Sequence, residues 1–169
     1  MERFEEKLSK KRETKEGKLP WWSLHWPRNP ELFMGKKIIM RQTSDRIRAT
    51  IDEDDYYILN SILILKLKDE CEFSYEYVLG VLNSALNNFV YRNLTQEKGR
   101  AFAEVKPKNI RKLYIPNMDK EYRERIERCV KRIMANENTV ENKKIIDDMI
   151  YSFYDVTEEE INVINKEVG

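Results

Sequence analysis

Cysteine and histidine are scarce in this sequence, and each shortage excludes chemistry. Two cysteines among 169 residues, Cys71 and Cys129, make neither a disulfide framework nor a metal quartet. The expected compartment is therefore a reducing cytoplasm. A single histidine, His25, excludes most His-based catalysis and most zinc sites. Gly17, Gly35, Gly80 and Gly99 stand alone, so there is no glycine-rich loop to cradle a phosphate. No stretch approaches the roughly 20 apolar residues that span a bilayer. The longest apolar run, Tyr56 to Leu65, is interrupted by Asn60 and Ser61. The N-terminus is charged throughout and carries no secretory pattern.

What is present suits one domain, or one domain with a helical appendage. Hydrophobic residues make up 41% of the chain, enough for a core, and 36% are charged. The net charge of +1 hides a strong asymmetry: residues 1–50 carry +6, 51–100 carry −4, 101–135 carry +5 and 136–169 carry −6. Two basic blocks can form one positive face with the acidic blocks turned away, so a near-neutral total does not exclude a polyanionic partner. The same blocks would also serve as solvated helix faces.

Residues 1–19 are polar and read as a lead-in or linker, with Phe4 and Leu8 as early apolar anchors. Pro20, Pro27 and Pro30 disfavour helix through a segment holding Trp21, Trp22 and Trp26, which are expected to pack against the sheet. Lys37 to Gln42 predicts a strand. Arg46 to Ile51 alternates, with Ile47, Ala49 and Ile51 on one face and Arg46, Arg48 and Thr50 on the other. Asp52 to Asp55 reads as a turn, and Tyr56 to Leu67 as one long or two short strands.

Ser74 can cap a helix running to about Arg92. Its stripe is Tyr75, Val78, Leu79, Leu82, Leu86, Phe89 and Val90. Ile110 to Ile115 suggests a closing strand ended by Pro116. Two further helices follow from the Tyr122–Ile133 and Ile145–Phe153 stripes. Thr157 to Glu160 is a capping box for a last one. The expected fold is α+β: a small twisted mixed sheet with one packed helix, then two or three C-terminal helices. The expected division is 1–19 lead-in, 20–117 recognition core and 118–169 helical region.

Catalytic patterns are missing. Asn29-Pro30 is followed by Glu31, so it cannot serve as the Asn-Pro-Pro-aromatic element that holds a flipped base's amine. Asp52 to Asp55 has no glycine-spaced ligand loop behind it, which favours a solvated turn over a hard-cation site. Glu141-Asn142-Lys143 matches half of a nuclease element but lies in a predicted helix with no strand aspartate to complete it.

Several segments, in order, resemble one family. They are Trp22-Ser23-Leu24-His25-Trp26-Pro27-Arg28, then Phe33, then Lys36-Lys37-Ile38-Ile39-Met40-Arg41. Tyr77 to Ser84 and Ile110 to Pro116 follow, and then the tail from Met149 to Ile161. Together they resemble the TaqI-like C-terminal specificity domain, the target recognition domain of type II and especially type IIG restriction-modification enzymes. The resemblance implies a chain that reads double-stranded DNA while an adenine methyltransferase and a nuclease act from other domains of the parent polypeptide. S-adenosylmethionine and magnesium would belong to those domains, with no cofactor on this chain.

DNA recognition needs phosphate contacts for affinity and base-edge contacts for specificity. The candidates are Arg28, Lys36, Arg41, Gln42, Arg46, Arg48, Lys98, Arg100, Lys106 and Lys108. Arginine can grip guanine bidentately, and glutamine can do the same to adenine. Each side chain also has a plain reading as a solvated surface group. Asn83 and Ser84 interrupt an apolar helix and are expected to hydrogen-bond a neighbouring segment. The competing function is a protein-interaction module whose C-terminal helices dock on a partner. A nuclease using Asp52 to Asp55 ranks last.

Overall fold

The computed structural model describes residues 2–23, 29–95 and 103–168. Its contacts divide the chain into two compact units, Met1–Leu32 and Phe33–Gly169. The first holds short helical turns: Glu2–Phe4 and Pro30–Leu32 as 3-10 turns, with α1 (Glu5–Leu8) and α2 (Arg12–Lys15) between them. Trp21 and Trp22 meet edge to face at 5.7 Å. Trp22 is exposed, against the expectation of burial. Trp26 lies outside the described residues.

The second unit carries the core. Among the described residues its sheet has three strands, β1 (Lys37–Arg41), β2 (Ala49–Asp52) and β3 (Ile62–Leu65), in the order β2-β1-β3. Both ladders are antiparallel, where a mixed sheet was expected. A hairpin joins β1 to β2, whereas β2 and β3 flank β1, run parallel to each other and are joined by a crossover past it. Ile38, Met40 and Ile51 point inward onto Tyr77, Val78 and Leu82. The opposite face carries Ile39 and Arg41 of β1, Arg48 and Thr50 beside them, and Ile62 and Ile64 of β3.

The strand expected over Tyr56 to Leu67 shrinks, and the turn expected over Asp52 to Asp55 loses its first residue to β2. Of Tyr56 to Leu67 only β3 is strand, and Tyr56, Tyr57 and Leu59 are exposed. Asp52 is not part of a turn: it closes β2, buried, in a 2.6 Å ion pair with the equally buried Lys37. Burial opposes its ionisation, but the Lys37 ammonium and backbone amides hold the carboxyl below its ordinary range.

The expected helix from Ser74 to Arg92 is two helices, α3 (Tyr75–Asn83) and α4 (Ala85–Thr95). Ser74 caps α3 by accepting from Tyr77 N–H at 3.1 Å. Ser84 turns extended (ψ 155°) and caps α4, its Oγ accepting from Asn87 N–H at 3.2 Å. Asp147 accepts the Ala85 N–H at 2.8 Å. The break rotates α4, so it buries Asn88, Tyr91 and Arg92 while Val90 stays exposed.

Ile110 to Ile115 is not a strand. The single turn α5 (Pro107–Ile110) opens it, and Leu113 and Ile115 then alternate toward the core without a ladder partner. The Tyr77 hydroxyl donates to Pro116 O at 2.6 Å and fixes its end. Three helices complete the fold: α6 (Lys120–Met134), α7 (Thr139–Phe153) and α8 (Glu158–Val168). A Cβ on Gly80 of α3 would lie 2.6 Å from Ile126 Cγ2 and 3.0 Å from Val130 Cγ2, so α3 and α6 approach closely there. The α8 capping box forms as expected: Glu160 accepts the Thr157 N–H at 2.9 Å, and Thr157 Oγ1 accepts the Glu160 N–H at 3.3 Å.

Candidate nucleic-acid interface

The hairpin joining β1 to β2 ends in two arginines. Arg41 N–H donates to Arg48 O at 3.0 Å, one ladder step beyond the Met40–Ala49 pair. Residues directly opposite in a ladder present their side chains on one face, with Cα atoms about 5.5 Å apart in a hydrogen-bonded pair. Both arginines are exposed, and neither side chain has an acidic partner among the described residues. Like charges directly opposite each other destabilise a ladder. This pair therefore suits an electron-rich ligand better than an empty surface.

The hairpin is tied at several points. Asn83 at the end of α3 imitates a fourth strand: its amide donates to Ala49 O at 2.9 Å and its Oδ1 accepts from Ala49 N–H at 3.1 Å. Asn88 Oδ1 accepts the Ile47 N–H at 2.8 Å. On the other side, Val105 N–H donates to Gln42 O at 2.7 Å, and Thr43 bridges to Glu104. These bonds occupy the exposed backbone of an edge strand, as an edge requires.

A groove of about 1030 Å³ opens over this region. Arg41, Arg46, Arg48 and Lys143 line it, together with Ile39, Thr50 and Ile62, and among the described residues Asp147 is the one carboxylate in its lining. Burial, helped by the nearby Asp148 and opposed by the Ala85 N–H and Lys143, lifts Asp147 to about 6. The lining is thus cationic with a single acid of easily altered charge.

The expected site residues part company here. Arg41 and Arg48 share the groove. Arg46 lines it as well, but it precedes β2 and donates to Val168 O at 2.7 Å at the end of α8. Asp45 lies beside it, and Arg92 bonds both Asp45 and the Glu167 carbonyl. The Asp45 carboxyl is held below its usual range, because Arg92 and Arg46 outweigh the effect of burial. Arg46 and Arg92 together fasten the last turn of α8.

Gln42 is half-buried at the hairpin's start, with its backbone paired to Ser61 and Val105. Lys106 occupies the N-cap position of α5 next to Val105, and Lys108 is exposed within α5. Lys36 precedes the far end of β1, about five residues or roughly 17 Å from Arg41. It is paired there with Glu53 at 2.8 Å and Glu76 at 2.7 Å. Arg28, Lys98 and Arg100 lie outside the described residues.

Sequence reasoning missed Lys143 and Asp147. Both sit in a helix whose periodicity reports only its buried stripe, and nothing local links that helix to a distant hairpin. Asn83 did carry a signal, as a polar residue closing an apolar helix. Among the described residues, no group of three or more His, Cys, Asp or Glu is placed to hold a metal ion. No described helix is long and apolar enough to cross a membrane.

Comparison with known proteins gives this geometry a context. The chain is 30% identical over 157 residues to a protein of Methanocaldococcus jannaschii provisionally named as a type II restriction enzyme and methyltransferase. The match covers 83% of this chain and 13% of that relative. A family model described as the TaqI-like C-terminal specificity domain matches residues 4–115, which include the whole sheet, the arginine hairpin and the Asn83 and Asn88 anchors. By that match the chain belongs to the TaqI-like C-terminal specificity domain family.

Proposed function

We propose that this chain reads double-stranded DNA as the target recognition part of a type IIG-like restriction-modification enzyme. The duplex lies along the groove beside the β1–β2 hairpin. Other domains of the parent polypeptide carry out adenine methylation and cleavage, with S-adenosylmethionine and magnesium bound there. The observation that carries this reading is the cross-strand pair of unpartnered arginines on the groove floor. Family membership supports it independently.

The test is a fluorescence-anisotropy titration of labelled duplex DNA. Counterion release predicts binding that weakens steeply between about 50 mM and about 200 mM salt. Arg41→Ala with Arg48→Ala should weaken it at least about tenfold at the lower salt. Absence of binding even at low ionic strength, or binding indifferent to both arginines, would sink the assignment.

A second reading has one observation in its favour. Phe153 and Tyr154 meet edge to face at 5.0 Å at the end of α7, and both are exposed. Such aromatics suit a protein-docking surface. Self-association or partner capture lost in Phe153→Ser, together with unaltered behaviour on DNA, would favour that reading.

A further inference from the structure

We infer that Arg41 and Arg48 are specificity-determining residues that read guanine at two neighbouring base pairs. This rests on the proposed DNA-reading function and goes beyond it to the bases recognised. Four observations lead here. First, the two guanidinium groups start from one ladder pair, so their origins are about 5.5 Å apart. Long side chains from such a pair can converge on successive steps of a duplex, about 3.4 Å apart.

Second, no described acid occupies either guanidinium, so all its donors remain available. Third, their backbone is fixed. Asn83 and Asn88 hold β2 and the residue before Arg48, and Val105 and Ser61 hold the residue after Arg41. Base readout needs such fixity, because a bidentate contact fails with a displacement of about 1 Å, whereas attraction to a phosphate tolerates it. Fourth, their neighbours on the same sheet face are Ile39, Ile62 and Thr50. That floor is apolar and hydroxylic, without a competing carboxylate beside the two arginines. Guanine offers O6 and N7 as adjacent acceptors in the major groove, which the planar guanidinium matches with two parallel hydrogen bonds.

The experiment is selection from a random-sequence duplex library by the full chain at low salt. Three proteins are compared: the unaltered chain, Arg41→Gln and Arg48→Gln. The unaltered chain should enrich a motif with guanine at two adjacent base pairs. Each variant should lose guanine preference at one of those positions and gain adenine there, with about a 10-fold to 100-fold loss on the original motif. Both side chains are exposed, so circular dichroism should show an unchanged fold.

A motif lacking guanine overturns the inference. So does a uniform loss of affinity with unchanged base preference, which would make the two arginines phosphate contacts. Binding to every duplex without enrichment overturns it too while leaving DNA binding intact. No binding at all overturns both this inference and the function beneath it.

Discussion

At the residue scale, Asp147 is the group whose charge the fold alters most usefully. Its carboxyl titrates near 6 in the folded chain, against about 4 when unfolded. The folded state therefore holds an extra proton between those values, and stability falls as pH rises through that window. Above it the ionised Asp147 costs on the order of 3 kcal/mol. Asn at this position keeps an acceptor for the Ala85 N–H and carries no charge. Asp147→Asn should raise the melting temperature at pH 8 and lose that advantage by about pH 4, as thermal melts at both values would reveal. The same titration bears on the ligand. Protonation removes the carboxylate from a cationic groove, so affinity for DNA should climb as pH drops from 7.5 to 5.5 in the unaltered chain and stay flat in the variant. A parallel climb in both would remove Asp147 from the site.

At the element scale, two contacts decide how helices sit. Gly80 lets α3 lie against α6. The methyls it would meet belong to Ile126 and Val130, whose branching at Cβ leaves them little room to rotate away. Alanine there would gain helix propensity of about 1 kcal/mol and meet overpacking of about 1–3 kcal/mol. Gly80→Ala should therefore show a net loss in urea unfolding, and Gly80→Val a larger one. The end of α8 depends on Arg92, which bonds a carbonyl of α8 and the Asp45 carboxylate at once. Without Arg92 the half-buried Asp45 carboxylate keeps only Arg46 among the described residues, and the Glu167 carbonyl loses this donor, so the loss falls on the last turn of α8. In Arg92→Met, amide exchange should accelerate in residues 158–168 before it does in β1. Uniform acceleration across the chain would mean that α8 is not separately held.

At the scale of the whole molecule, the balance of charge matters more than its sum. The net charge of +1 suggests indifference to DNA, yet folding brings Arg41, Arg48 and Lys143 to one groove from sequence positions up to about a hundred apart. Cations at a rim contact phosphate, and each should add about one to the slope of log affinity against log salt. Lys143→Ala should therefore lower that slope by about one without altering base preference, as salt titrations on two unrelated duplexes would measure. Lys36 belongs to a different balance. It is held between Glu53 and Glu76, where its pKa is raised even though burial works to lower it. A lysine equally basic in sequence thus serves the sheet's far end.

Local patterns in the sequence determined a good deal. The Tyr122–Ile133 and Ile145–Phe153 stripes specify α6 and α7, the Thr157–Glu160 box starts α8, and Ile38 and Met40 set the inward face of β1. These are short-range effects, in which neighbours three, four or two residues apart decide the outcome. The family resemblance, too, was carried by ordered local motifs such as Tyr77 to Ser84. Tertiary structure decided the rest. The helix breaks at Ser84, where the local serine cap is joined by Asp147, 62 residues beyond Ala85, which takes the Ala85 amide. Lys37 and Asp52 are buried because an antiparallel register sets them opposite each other. Ile110 to Ile115 alternates like a strand but has no ladder partner, since alternation records a buried side and says nothing of a backbone neighbour. Arg41 and Arg48 become a pair only when the hairpin closes, seven residues of chain folding into a single ladder step. Hydrogen bonds and ion pairs between distant segments leave no periodic trace in a sequence, and the groove is built from them.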